Sequence, residues 1–333
     1  MQEGAKARET AAAAAEGGNR RRPSRGFRSA HVRGNLSAYM FIAPFMIIFG
    51  VFLAYPVFYS LYLALHRVPT DTFDVFGSLR YVGFANFQLL FTDVKFWWSV
   101  LMTLYYAALI IPSGIAVSLT LALLLNNRLK AVAFYRSAFF MPYVLDMLVI
   151  GIVWTLIYSP HVGILVRIFE SVGITAFSER GFLGTPETAM PAVVLTNVLK
   201  GAGFGMILYL SAIQNIPQSL YEAASIDGAS PWQRFRSITL PLVKPITFFM
   251  VIIGTITALN AFVEVYAMTG GGPNVDIGGR ALGATWVTGY YVFDTFYNQF
   301  RLGYAASMSY VLLALTLVVT FVNRSFLGSD EER

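Results

Sequence analysis

Charge is so sparse along this chain that its uncharged runs mark the elements. Gly34 to Leu65, Phe96 to Asn127, Pro245 to Val263 and Leu302 to Asn323 carry no charge at all. Ser137 to Val166 holds only Asp146, and between Glu187 and Glu222 the one charge is Lys200. Crossing about 30 Å of hydrocarbon takes about 20 helical residues, so each run is long enough for one membrane span. Lipid offers no partners to free backbone groups, and the strict polar alternation of a membrane barrel is missing, so the spans should be helices. The pattern therefore predicts an all-α integral membrane protein with six transmembrane helices. Pro112, Ser113 and Gly114 predict a kink in span two, and the glycines and proline of Gly270 to Pro273 should end span five.

Composition excludes the alternatives. Of 333 residues 56% are hydrophobic and 13% charged, against roughly 25% charged in a soluble domain. The mean hydropathy of +0.60 excludes a disordered chain. The net charge of +6 suggests nucleic acid until it is located. Residues 1 to 33 hold eight Lys or Arg and three Glu, so the remainder of the chain is nearly neutral. A basic flank beside an apolar run reads as a topology signal or a contact with anionic lipid, not as a nucleic-acid site. Without cysteine there are no disulfides, thiolate metal sites or cysteine nucleophiles. No small-residue cleavage site follows a short apolar region, so the first run reads as a retained span.

With the amino terminus inside, inner segments hold sixteen Lys or Arg and outer segments seven. This places both termini in the cytoplasm. Residues 1–35 form a basic tail, 36–326 the membrane domain and 327–333 a short polar tail. Outer segments at 66–95, 159–190 and 269–301 are rich in Phe, Tyr and Gly, which suits the interface.

The most specific chemistry lies between spans four and five, at about 216–241. Leu220 to Ile226 reads as a two-turn helix stopped by Asp227 and Gly228, since glycine accepts the left-handed conformation common just past a helix end. Ser230, Pro231 and Gln233 then supply a capping box with proline at the first helical position. Phe235, Arg236 and Ile238 continue that helix until Leu240, Pro241 and Pro245 redirect the chain. The expectation is helix, sharp turn, helix on the cytoplasmic face. Ala223 and Ala224 slim the first helix enough to enter a partner's groove, and Glu222 and Asp227 offer carboxylates to a basic partner.

The stretch Tyr221 to Ala229, followed by Phe235, Ile238, Leu240 and Pro241, closely resembles the EAA loop of ABC importer permeases. Residues 81–87, Phe96 and Trp97, Met141 to Tyr143, Thr269 to Pro273 and the final span from Gly303 resemble the carbohydrate-type permeases of the maltose, trehalose and glycerol-phosphate group. The resemblance covers roughly residues 36–326 and departs at Asp146, where a neutral residue or proline is expected. It implies a MetI-like fold in a bacterial or archaeal cytoplasmic membrane. It also implies a coupling role for Glu222, Ala223, Ala224, Asp227 and Gly228 on an ATPase subunit. The implied partners are a second permease, identical or homologous, two cytoplasmic ATPases carrying ATP and Mg, and an extracytoplasmic solute-binding protein.

Polar groups in a span are costly unless they face protein or water. Thr257, Asn260 and Glu264 share one helical face by steps of three and four, and Asn197, Lys200, Phe204 and Ser211 share another. Tyr143 and Asp146 form a weaker third set. Asn260, Glu264, Asn197, Lys200, Tyr143 and Asp146 are therefore candidates for a carbohydrate pathway, where hydroxyls meet hydrogen-bonding groups and C–H faces meet rings. Packing between helices stands beside this reading, with Lys200 paired to Glu264 or Asp146 or extended to an interface. Gly201 and Gly205 match a small-residue packing pattern. No phosphate loop ending in Gly-Lys-Ser or Gly-Lys-Thr is present, so the chain should be a non-catalytic subunit without a cofactor of its own. An ion-coupled carrier is the alternative, but it predicts repeated halves that the sequence does not display. An intramembrane protease is disfavoured because His31, His66 and His161 lie outside the span centres.

Overall fold

The computed structural model describes residues 39–67, 79–127 and 131–327. The expected basic tail, Arg128, Lys130 and residues 328–333 of the polar tail lie outside them. The chain divides into two units, Met1–Tyr59 and Ser60–Arg333. The described part of the first is helical and belongs to α1 (Tyr39–Ala64), which contains a π-helical turn at Gly50–Ala54. Phe41, Phe52 and Phe58 are exposed along it, a surface suited to lipid.

The second unit is mostly helical. After a small antiparallel ladder of β1 (His66–Arg67) and β2 (Arg80–Tyr81) come α2 (Ala85–Thr92) and α3 (Val94–Leu125). Asp93 starts α3, its Oδ1 accepting from the Lys95 amide at 2.9 Å. Pro112 lies within this 32-residue helix. Next come α4 (Val132–Val144), α5 (Met147–Tyr158) and α6 (Ile164–Ser171). Helix α7 (Pro186–Gln214) opens with proline at its first position and Glu187 in its first turn, both favoured at an N-terminus. The interspan loop forms α8 (Gln218–Ile226) and α9 (Pro231–Leu242), the latter containing a π-helical stretch at Phe235–Thr239. Helices α10 (Lys244–Leu259) and α11 (Val263–Met268) follow. A hairpin of β3 (Asn274–Ile277) and β4 (Arg280–Gly283) precedes α12 (Thr288–Tyr297) and α13 (Leu302–Leu327).

Helices α1, α3, α7 and α13 are each long and apolar enough to cross a membrane. Two bent pairs, α4 with α5 and α9 with α10, turn by 101° and 62° and bring the possible total to six. The third span read from sequence as one run is thus two helices that meet at a sharp bend, and the short strands depart from the all-helical expectation. The reason for the break is local. Asp146 is extended (φ −62°, ψ 143°), and its Oδ1 accepts from the Leu148 amide at 2.8 Å, capping a new helix.

Helix α7 is the central element, with over half of its most apolar window buried against under a quarter for α3 and α13. It packs most extensively on α3, and α10 lies against both. One apolar cluster gathers Tyr106, Tyr158, Val193, Val198, Ala258 and Val265; a second gathers Ala122, Met206, Tyr209, Leu210 and Val243. Glycine permits the close approach of α3 to α7: a methyl group on Gly205 would overlap the Ser118 side chain. Gly201, one turn away, has nothing within 4 Å of where its Cβ would lie. Among the described residues of this chain, the packing role expected of both glycines is met at Gly205 and not at Gly201.

Candidate functional site

A cavity of about 300 Å³ opens where α3, α4, α7, α10 and α11 meet. Its polar lining comes from Tyr106, Ser118, Tyr143, Asn197, Lys200, Thr257 and Glu264, with Phe204 and Gly201 between them. Four of the six pathway candidates are therefore brought together: Tyr143, Asn197, Lys200 and Glu264. The Tyr143 and Phe204 rings stack with centroids 4.9 Å apart and planes 13° from parallel. Lys200 Nζ donates to the Tyr143 carbonyl at 3.3 Å and sits 5.4 Å from that ring's centroid. Asn197 donates to the Val193 carbonyl of its own helix at 3.1 Å, leaving its side-chain oxygen for another donor.

The other two candidates lie elsewhere. Asp146 caps α5 and is absent from the lining. Asn260 ends α10, where the chain leaves helical geometry until Val263, so the expected common face of Thr257, Asn260 and Glu264 does not form. The three-and-four spacing assumed a continuous helix. Thr257 and Glu264 reach the large cavity; Asn260 instead lines a smaller one of about 210 Å³ with Gly289, Ser309 and Thr316.

Sequence reasoning missed Tyr106. It is 1% exposed and donates to Glu264 Oε1 at 3.0 Å. In an uncharged run a tyrosine looks apolar; the signal that could have found it is the lone carboxylate of Glu264, which needs a donor when buried. Also missed was Asp93, whose second oxygen accepts from Tyr291 at 2.8 Å and from Tyr304. This pins α12 and α13 to the start of α3. Burial, then Asp93 as acceptor and as negative charge, hold the Tyr291 hydroxyl well above its ordinary pKa.

The interspan loop has the predicted form. Gly228 takes φ +75°, outside the range most side chains tolerate, and reverses the chain after α8. Ser230 and Gln233 make both halves of the capping box. The elbow is braced by Arg234 donating to Ser225 Oγ at 3.0 Å and by Tyr221 with Thr239 at 2.8 Å. Glu222, Ala223 and Asp227 are exposed, and so are Ile226 (87%) and Trp232 (65%). Among the described residues, no group of three His, Asp or Glu side chains is placed to hold a metal ion.

A helical membrane protein with a polar cavity among its helices and an exposed helix–turn–helix elbow between two of them has the architecture of a solute permease. The chain belongs to the family of binding-protein-dependent transport system inner membrane components, whose model matches residues 99–327. It is 33% identical over 284 residues to the trehalose/maltose transport system permease MalF of Thermococcus litoralis, covering 85% of this chain and 91% of that protein. It is 31% identical to the lactose transport system permease LacF of Rhizobium radiobacter, covering 86% and 93%. A bacterial ABC transporter that imports alginate shares the fold, with TM-score 0.73 at 22% identity over 90% of this chain and 97% of that one.

Proposed function

We propose that this chain is a permease subunit of an ATP-driven carbohydrate importer in a bacterial or archaeal cytoplasmic membrane. The observation that carries the reading is the cavity: hydroxyl, amide, ammonium and carboxylate groups surround a stacked aromatic pair inside a helical membrane domain. Such a lining suits a molecule with many hydroxyls and apolar C–H faces. The sugar-transporting permeases among its relatives support the same class of solute. Tyr143, Asn197, Lys200 and Glu264 contact the solute, with Thr257 and Phe204; Asn260 contributes from the smaller cavity, and Asp146 acts at the break in span three. Both termini face the cytoplasm.

The chain works with a second permease, two ATPases that bind ATP and Mg, and, in keeping with its family, an extracytoplasmic binding protein. Helix α8 enters a groove on one ATPase. Ile226 and Trp232 supply apolar contact, Glu222 and Asp227 charge, and Ala223 and Ala224 close approach. The braces from Arg234 and Tyr221 make the elbow stiff enough to pass ATPase motion through α9 into α10. ATP binding then turns the cavity outward and hydrolysis resets it.

Gly228→Pro tests the coupling half, since proline cannot take φ +75°. The variant should insert in the membrane but lose both ATPase co-purification and uptake. Normal uptake by this variant would remove the coupling role.

A further inference from the structure

Lys200 is the fifteenth residue of the 29-residue α7. At about 1.5 Å per residue it lies roughly 20 Å from either helix end. For a helix centred in a hydrocarbon core about 30 Å thick the nearer interface is still about 15 Å away, beyond the reach of a lysine side chain, so extension to an interface does not explain it. An ammonium at the middle of a span is retained only with a partner or a role. Among the described residues it forms no ion pair: it has the Tyr143 carbonyl and ring face alone. Glu264 lines the same cavity but accepts from Tyr106 instead.

We infer that the counter-charge arrives with the solute, and that the cavity selects saccharides bearing an anionic oxygen group, a carboxylate or a phosphate. The anionic group pairs with Lys200 while the sugar ring lies along Tyr143 and Phe204, whose stacked rings adjoin the ammonium. Glu264 repels the acidic end and accepts from hydroxyls at the other, so the lining sets the solute's orientation as well as its class. This inference rests on the cavity being the solute's path.

The test is equilibrium binding to the full chain, purified with its co-purifying subunits in mild detergent. The probes are digalacturonate, maltose 6-phosphate and maltose, measured at low and high salt. At least one acidic probe should bind about tenfold more tightly than maltose, equal to about 1.4 kcal/mol. The preference should shrink at high salt. Lys200→Gln should abolish it and Lys200→Arg should keep it. Which acidic probe is preferred tells a carboxylate solute from a phosphate one. Preference for maltose, an unchanged ratio in Lys200→Gln, or no binding by any probe overturns the inference. Gly201→Phe, which fills the cavity from an open position, separates the two levels. If it blocks all probes while Lys200→Gln leaves the ratio intact, the path stands and the anion preference falls. If it leaves binding of every probe unchanged, the cavity is not the path.

Discussion

Gly201 and Gly205 lie one turn apart on the same helix, and the same substitution at each should have opposite effects. At Gly205 a new Cβ would overlap Ser118 and come within 2.9 Å of the Met250 methyl. Ser118 cannot rotate away freely, because its hydroxyl donates to the Ala202 carbonyl at 3.3 Å. Helix α3 must then move off α7, and overpacking of this kind costs about 1–3 kcal/mol. At Gly201 no atom lies within 4 Å of the added carbon, so alanine gains helix propensity of up to about 1 kcal/mol and strains nothing. Alanine gains the same propensity at both helical positions, so the two variants should differ by the overpacking term, about 1–3 kcal/mol. Thermal unfolding in detergent, followed by tryptophan fluorescence, reads the order directly: Gly205→Ala lowest, parent between, Gly201→Ala highest. Equal midpoints for the two variants would refute the argument that one glycine is a packing contact and the other an opening.

Three further outcomes follow from named contacts. Tyr106→Phe should weaken uptake without unfolding the protein, because Glu264 loses a buried hydrogen bond to a charged group, worth about 1.5–3 kcal/mol. Unchanged uptake kinetics would return this pair to packing. Asp93→Ala removes the α3 cap and orphans two tyrosine hydroxyls, for a loss of roughly 2–4 kcal/mol. Asp93→Asn, which keeps an acceptor, should lose less by the same melting assay, and an equal loss would contradict the latch. Trp232→Ser should reduce ATPase co-purification while changing the protein's stability by no more than about 0.5 kcal/mol, since the ring is largely exposed; retained co-purification would take Trp232 out of the interface.

The sequence was most readable where one local rule decides the outcome. Uncharged length marks spans because lipid leaves helices little alternative, and Gly228 and the Ser230 capping box mark the elbow because their chemistry acts within a few residues. Periodicity loses its meaning where a helix stops inside a span. Asp146 and Asn260 were placed on pore faces by periodicity, but periodicity holds only while the helix continues, and these residues sit where it ends. Nor could spacing separate Gly201 from Gly205, since what distinguishes them is a serine more than 80 residues away. Tyr106 escaped for the same reason, its partner being Glu264, 158 positions further on.

The native chain has no cysteine, so a single Gly201→Cys substitution makes the cavity addressable by a membrane-impermeant thiol reagent. In vesicles holding the assembled transporter, the reagent should reach this position from the cytoplasmic side without nucleotide. With the ATPases trapped in their ATP-bound state it should reach it only from the opposite side. Labelling from one and the same side in both states would contradict a cavity that the ATPases turn across the membrane.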